Sequence, residues 1–270
     1  IDYPWDRDEE LEEELKRTFG LRDARVLIAY DQSSDESRSG RGLLAAECID
    51  DIVQDGMILG VSNGRSIAKT VQQLKPSRQV KMTVVQIIGA LGTHNPLIDG
   101  PDLVRNLAEA YGAQYRYMHA PLLVEDVRTR DLLLQEPSVQ ETLSLARRAD
   151  VAILGVGALD SASSGSIWTG FLNEKDIVWL RNQGGVGHMC AQHYDINGQL
   201  LDVELNRRAI GIGLEALRSI ETVIAIAGSE EKARAILGAI RGQYIDVLIT
   251  DDQAAAKILE LAEALEPAKI

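Results

Sequence analysis

The chain has 270 residues, 45% of them hydrophobic and 26% charged, which is typical of a soluble globular protein with one large α/β domain or two smaller ones. Its net charge of −13 opposes binding to nucleic acid, because affinity for a polyanion comes largely from Lys and Arg. Cys48 and Cys190 provide no disulfide framework, and we find neither an 18-residue apolar run nor a signal peptide, so we expect a cytoplasmic protein.

The N-terminal region predicts a helix, a strand, a loop and a second helix. Five glutamates between positions 9 and 14 surround Leu11 and Leu15, which favours an exposed helix over an acidic site. Residues 26–30 form a short apolar strand, the polar run 31–42 is predicted to be a loop, and residues 43–52 continue as a helix.

The stretch 55–74, DGMILGVSNGRSIAKTVQQL, predicts a strand, a tight loop and a helix. Such a loop directs backbone N–H groups and a positive helix end at one point, where an anion is stabilised. An ordinary turn in which Ser66 caps the helix is the alternative, and the loop matches neither a Walker motif nor a full dinucleotide fingerprint. For a phosphate, Gly60 and Gly64 would allow close approach, Ser62, Asn63 and Ser66 would donate, and Arg65 would bind two oxygens.

Two more small-residue loops follow predicted strands. The strand 80–88 ends in the loop 89–95, and the strand 151–154 ends in the loop 155–165. If the sheet is parallel, all three loops lie at one edge and suit a small, polyhydroxylated anion such as a sugar phosphate. Between them we predict a helix that Asp102 caps and that ends at Tyr111, a strand at 114–118, and a helix with a capping box of Ser138 and Glu141.

The C-terminal part predicts a hairpin and two further strands. Asn197-Gly198 indicates a hairpin turn within 187–204, and His188 and His193 are expected to point to opposite faces, so we predict no metal site and no cofactor. Strands at 222–227 and 245–250 enclose a helix at 230–241, and Asp251 caps a final helix at 252–265. The pattern favours one continuous domain with any second lobe inserted.

Three segments carry a resemblance to a known family: LGVSNGRSIAKTV at 59–71, ADVAILGVGAL at 149–159, and the stretch 206–255. From about residue 9 to its end the chain resembles the effector-binding domain of SorC/DeoR-family bacterial transcriptional regulators. The resemblance implies a Rossmann-like, mostly parallel sheet with helices on both faces and a small inserted lobe, similar to sugar-phosphate isomerases and glucosamine-phosphate deaminases. It also implies that residues 1–270 are one effector-binding domain, that an N-terminal helix-turn-helix domain reads DNA in the full-length protein, and that the regulator is a homo-oligomer.

The resemblance assigns a set of ligand-binding residues. His188 stands where most relatives have an aspartate, and Asn63 also departs from the usual pattern, so the identity of the effector stays open. The implied phosphate loop is Gly60, Ser62, Asn63, Gly64, Arg65 and Ser66; the second loop is Gly89, Ala90, Leu91 and Gly92; the third holds Gly155 and Gly157; and Asp160, Ser161, Ser164, His188 and Lys232 contact the rest of the ligand.

Three functional hypotheses remain. The first is a domain that senses a phosphorylated sugar or polyol without transforming it. The second is an isomerase or deaminase, for which Asp99, Asp160 and Asp251 are the candidate bases, although Asp251 is more simply a helix cap. The third is an oligomerisation module with a vestigial pocket. Whichever holds, we expect a dimer or tetramer and no membrane partner, with Trp5, Trp168 and Trp179 as candidate interface or core residues.

Overall fold

The computed structural model describes residues 6–29, 34–92, 95–159 and 171–265. None of the helices in these ranges is long and apolar enough to cross a membrane. The strands are β1 Asp23–Leu27, β2 Ile58–Val61, β3 Thr83–Gln86, β4 Gln114–Arg116, β5 Val151–Gly155, β6 Gly157–Ala158, β7 Gly185–Met189, β8 Gln192–Asp195, β9 Thr222–Ile226 and β10 Val247–Asp251. The α-helices are α1 Glu9–Phe19, α2 Ser34–Ile52, α3 Arg65–Gln73, α4 Gly100–Tyr111, α5 Val127–Leu133, α6 Pro137–Ala146, α7 Glu174–Asn182, α8 Glu204–Arg207, α9 Leu214–Leu217, α10 Ala233–Arg241 and α11 Asp252–Ala264.

Within the described ranges, seven parallel strands form the central sheet, in the order β1-β10-β9-β5-β2-β3-β4. Alternate side chains of β9 enter different cores: Val223 belongs to the cluster that includes residues of α1, α6, α10 and α11, and Ile224 to the cluster that includes residues of α2, α3 and α4. Helices therefore cover both faces, which confirms the predicted Rossmann-like fold. The chain runs outwards from β2 to β4 and returns at β5, so the topological switch lies between β2 and β5.

A small antiparallel sheet, β6-β7-β8, is inserted in sequence between β5 and β9. This sheet confirms the predicted inserted lobe, and the predicted turn at Asn197-Gly198 is present, but the turn that joins β7 to β8 lies upstream of it and was not predicted. The turn lies at Cys190 and Ala191, which have positive φ angles of 49° and 60°. Asn197 and Gly198 lie in a second turn, after which Leu200 bridges back to Tyr194.

Several predicted helix ends differ from the structure. The run 31–42 was predicted to be a loop, but α2 begins at Ser34. The capping box of Ser138 and Glu141 is wrong, because α6 begins at Pro137 and no side chain caps it. The predicted Asp102 cap is also wrong: Asp99 is the N-cap of α4, and its carboxylate accepts the Gly100 N–H.

Candidate functional site

A cavity of about 440 Å³ opens at the carboxyl edge of the large sheet, a volume within the range of small-molecule sites. The loops after β2, β5, β9 and β10 border it, together with the first turns of α2 and the β7–β8 hairpin. Ligands of open parallel sheets bind at this edge, next to the topological switch point. The topology therefore explains why loops far apart in sequence share one cavity.

The loop after β2 lines the cavity, as the sequence predicted for Ser62, Asn63, Gly64, Arg65 and Ser66. Gly64 is the N-cap of α3 with a φ of 122°, a conformation that only glycine adopts easily. No side chain caps this helix in the described structure, so the alternative in which Ser66 is the cap is wrong. The positive end of α3 therefore faces the cavity without a side-chain anion on it.

Gly60 does not line the cavity, in contrast to the prediction from the resemblance. It lies inside β2, and a Cβ atom there would approach Cγ2 of Ile87 to 2.7 Å. The Cβ atoms of Ala149 and Ala152 would lie 3.5 and 3.6 Å from this added Cβ atom. The glycine therefore permits packing beneath the sheet.

The second loop, Gly89, Ala90, Leu91 and Gly92, also lies outside the cavity lining. Its backbone donors are already used within the chain. The N–H groups of Leu91 and Gly92 donate to the Asp99 carboxylate at 2.8 and 2.9 Å. Those of Gly89 and Ala90 donate to the carbonyls of Ile210 and Ala120, both at 2.9 Å. The backbone N–H groups of this loop, which were predicted to bind an anion, thus already donate to Asp99 and to backbone carbonyls.

The third loop reaches the cavity at Gly155 and Gly157. Gly157 makes room for a side chain, because a Cβ atom there would lie 2.0 Å from Nε2 of His188. The predicted ligand contacts Asp160, Ser161 and Ser164 lie outside the described residues, and their roles stay predictions.

Lys232 lines the cavity, and its Nζ donates to the carbonyl of Val156 at 2.9 Å. Burial of the ammonium is the main reason that the pKa of Lys232 falls from 10.5 to about 8. The guanidinium groups of Arg41, Arg65 and Arg38 lower this pKa further. Four cations thus face one small volume, an arrangement that a dianion would stabilise.

Two of these cations were missed by sequence reasoning. Arg38 and Arg41 lie with Ser37 on one face of α2, at the part that was predicted to be a loop. The helix lacks an apolar stripe there because that face borders the cavity. The three-residue spacing of the arginines was the available signal, since residues three apart share a helix face.

Asp251 caps α11 by accepting the Ala254 N–H at 2.9 Å, which confirms the predicted cap. Its other oxygen accepts from Nη1 of Arg41 and from the Ser229 N–H. The Arg41 and Asp251 side chains are only 6% and 4% exposed, so the ion pair is buried at both ends. Nε of Arg41 is also buried and has no hydrogen-bond partner within the described structure.

His188 and His193 do not point to opposite faces. They lie on adjacent strands of the hairpin and are cross-strand partners, with ring centroids 5.3 Å apart. Both side chains are buried, and His188 lines the cavity. Burial lowers the pKa of His193 to about 4 and that of His188 well below 6.5, and the latter is lowered further by His193 and Lys232. The prediction failed because the hairpin turns between them, at Cys190.

These features are typical of one class of protein, a ligand-binding domain in which cations and helix amides gather at the edge of a parallel sheet. A family profile described as "Putative sugar-binding domain" matches residues 3–260. The chain belongs to this family, the sugar-binding domain of SorC/DeoR-type transcriptional regulators.

Individual relatives and solved structures agree with this assignment. The chain is 30% identical to the transcriptional regulator LsrR of Klebsiella pneumoniae over 93% of its length and 76% of the relative's. It is similar to the crystal structure of the full-length sorbitol operon regulator SorC from the same species, with a TM-score of 0.87, 30% identity, and coverage of 96% of this chain and 83% of that one. The sugar-binding domain of a transcriptional repressor from Vibrio fischeri has a TM-score of 0.86 and 31% identity, covering 95% of this chain and all of the other.

Proposed function

We propose that this domain binds a phosphorylated sugar or polyol and thereby controls operator binding by the full-length regulator. The observation that carries the proposal is that Arg38, Arg41, Arg65 and Lys232 line one cavity at the positive end of α3. The pKa of Lys232 is lowered mainly by burial and further by the three arginines, as expected for cations that share this volume. The uncapped N-terminus of α3 and the buried Nε of Arg41 add donors that an anion would satisfy. A phosphate supplies both the charge and the acceptor oxygens.

In this proposal the DNA-binding unit is a helix-turn-helix domain outside residues 1–270. The net charge of −13 opposes binding of the present domain to DNA. The relatives that support the assignment are named transcriptional regulators. Effector binding would act on DNA affinity by favouring one of two subunit arrangements, and it can do so only to the extent that the effector binds them differently. Trp179 on α7, which is 48% exposed, is a candidate for a subunit contact.

We further propose that the effector is bound and released unchanged. Two of the candidate bases, Asp99 and Asp251, already accept backbone N–H groups with both carboxylate oxygens. A general base must be able to reach the substrate proton, and these hydrogen bonds hold both carboxylates in structural positions. Asp160, the third candidate, lies outside the described residues. Incubation of the purified domain with ribose 5-phosphate or glucosamine 6-phosphate is expected to give no turnover.

The test is isothermal titration calorimetry with sugar and polyol monophosphates on the wild-type domain and on Arg65→Ala. We expect Arg65→Ala to weaken the tightest ligand by about 10- to 100-fold, because hydrogen bonds to charged groups contribute roughly 1.5–3 kcal/mol. Arg105→Ala is the matched control: Arg105 is paired with Asp102 on the surface of α4, and its loss is expected to leave affinity unchanged. If no monophosphate binds, or if both variants bind like the wild type, the proposal is wrong.

A further inference from the structure

Residues 6–8 pair with the outer edge of the central sheet, immediately before α1, through a short antiparallel bridge to β1. The N–H of Ile28 donates to the carbonyl of Asp6, and the N–H of Asp8 donates to the carbonyl of Val26, both at 2.9 Å. β1 is the outermost strand of the described sheet, and its other edge pairs with β10. Residues 6–8, which we call the edge segment, thus engage backbone groups of β1 that would otherwise face solvent.

Polar contacts hold the edge segment in place. Asp6 and Arg7 are exposed, Asp8 is half-buried, and the segment contains no apolar residue. The guanidinium of Arg7 donates to both carboxylate oxygens of Glu12, at 2.8 and 2.6 Å, and Oε1 of Glu12 also accepts the N–H of Val26 at 2.8 Å. Elements with few buried apolar contacts and exposed hydrogen bonds open more readily than the core. The edge segment can therefore leave β1 while the sheet stays folded.

The backbone that pairs with the edge segment continues directly into the cavity wall. Ala29 follows Ile28 in the chain and lines the cavity. The N–H of Ala29 donates to the carboxylate of Asp252 at 3.2 Å. The preceding residue, Asp251, accepts from the guanidinium of Arg41, which also lines the cavity. A ligand that fills the cavity therefore restrains the end of β1, and with it the N–H group that donates to the edge segment.

Helix α2 makes a second connection between the cavity and the edge segment. Arg38 and Arg41 of this helix line the cavity, whereas its Leu43 and Glu47 line a separate groove of about 770 Å³ together with Arg7. A helix is a rigid element, so a displacement of its first turns on ligand binding is carried to the part that borders the groove. Both connections end at the edge segment.

We propose that the edge segment responds to the occupancy of the cavity: it is docked on β1 when an anion fills the cavity, and it leaves β1 more readily when the cavity is empty. Docking and ligand binding are then coupled, and each favours the other by the same factor. The inference rests on the proposed function, because it takes the DNA-binding domain to precede residue 6 in the full-length regulator. The docked segment fixes the direction in which the chain leads to that domain.

The first test needs no ligand and measures amide hydrogen exchange by NMR on the wild-type domain and on Asp252→Ala. This substitution removes the acceptor of the Ala29 N–H and keeps the cap of α11. We expect the amides of Ile28 and Asp8 to exchange about fivefold faster or more, whereas the amide of Leu248 in β10 keeps its rate. Unchanged exchange at Ile28 and Asp8 would overturn the inference, because the end of β1 would not control the segment.

Glu260→Gln is the matched control for this test. Glu260 is exposed on the same helix, where it pairs with Lys257, and its substitution is expected to leave the exchange of both amides unchanged. Asp252→Asn, which keeps the shape of the side chain and weakens the acceptor, replaces Asp252→Ala if that variant does not fold. The expected direction and the contradicting outcome are then the same.

The second test adds ribose 5-phosphate, or inorganic phosphate, to the wild-type domain at pH 7.0 and constant ionic strength. Binding is detected from the amide shifts of Gly64 and Ser66 at the start of α3. Where binding occurs, we expect the exchange of Ile28 and Asp8 to slow by about fivefold or more. Shifts at Gly64 and Ser66 without slower exchange overturn this inference and leave the proposed function intact. If neither probe causes shifts, the proposed function loses its support, and the Asp252 variant decides this inference.

The third test measures the coupling from the other direction. Arg7→Met removes the ion pair with Glu12 and is expected to release the edge segment, which is seen as faster exchange at Ile28. By reciprocity, the affinity for the probe that binds should fall by about fivefold or more. Arg17→Met is the matched control, because Arg17 is 80% exposed on α1, and it should leave the affinity unchanged. A released segment with wild-type affinity would overturn the inference.

Discussion

Lys232→Met offers a quantitative test of the charge distribution in the cavity before any ligand is known. The pKa of Lys232 is lowered from 10.5 to about 8, and this difference corresponds to roughly 3 kcal/mol. Below pH 8 the side chain is charged in both the folded and the unfolded chain, so the folded state carries the whole unfavourable contribution. Between pH 8 and 10.5 only the folded chain releases the proton, and the contribution is relieved as the pH rises.

The expected size can be worked out for two convenient pH values. Between pH 7 and pH 9.5, linkage predicts that Lys232 raises the free energy of unfolding by about 2 kcal/mol. The methionine variant lacks this rise and is expected to be the more stable protein at pH 7. Urea unfolding of both proteins at the two pH values measures the difference, and other titrating groups cancel in the comparison.

Lys175→Met is the matched control, because Lys175 is exposed on α7 and does not line the cavity. Its substitution should leave the pH dependence of stability as in the wild type. If the Lys232→Met variant shows the same rise between pH 7 and pH 9.5 as the wild type, the pKa of Lys232 is not lowered by burial and the neighbouring arginines, and that support for the proposed function is lost.

Two further predictions concern the framework of the site. Asp251→Asn keeps a helix cap but leaves Arg41 buried without its partner, and urea unfolding is expected to show a loss of about 3–5 kcal/mol; a loss below 1 kcal/mol would mean that the pair is solvated. Asp99→Ala removes the acceptor of three backbone N–H groups and is expected to lower the free energy of unfolding by about 1–3 kcal/mol. The affinity for a sugar phosphate is expected to stay within threefold of the wild type. A large loss of affinity would show that the loop 89–92 takes part in ligand binding.

Much of the fold could be predicted because its signals are local. Apolar runs gave the strands of the sheet, and the stripe of Ile236, Leu237 and Ile240 gave a buried helix. The loop from Ser62 to Ser66 lines the cavity, since a strand, a small-residue turn and a helix in succession place donors at the strand end, and its binding of a ligand stays a prediction.

The errors arose where a distant partner decides what a local pattern does. The glycine loop at 89–92 has the composition of an anion site, but the carboxylate of Asp99 fills it. The hairpin turn at Cys190 and Ala191 carries no glycine or asparagine, so the stronger Asn-Gly signal downstream was chosen. With the turn predicted downstream, His188 and His193 were placed on one strand, whereas the structure has them as partners on adjacent strands. Arg38 and Arg41 were overlooked because a helix face that lines a cavity shows no apolar stripe.

The central claim is that the cavity lined by Arg65 and Lys232 binds a phosphate group. A crystal structure of the domain grown with its tightest sugar monophosphate tests this claim most directly. The account predicts density for the phosphate within hydrogen-bond distance of Arg65, Lys232 and the first amides of α3. Density for the phosphate at His188, or outside the cavity, would contradict it.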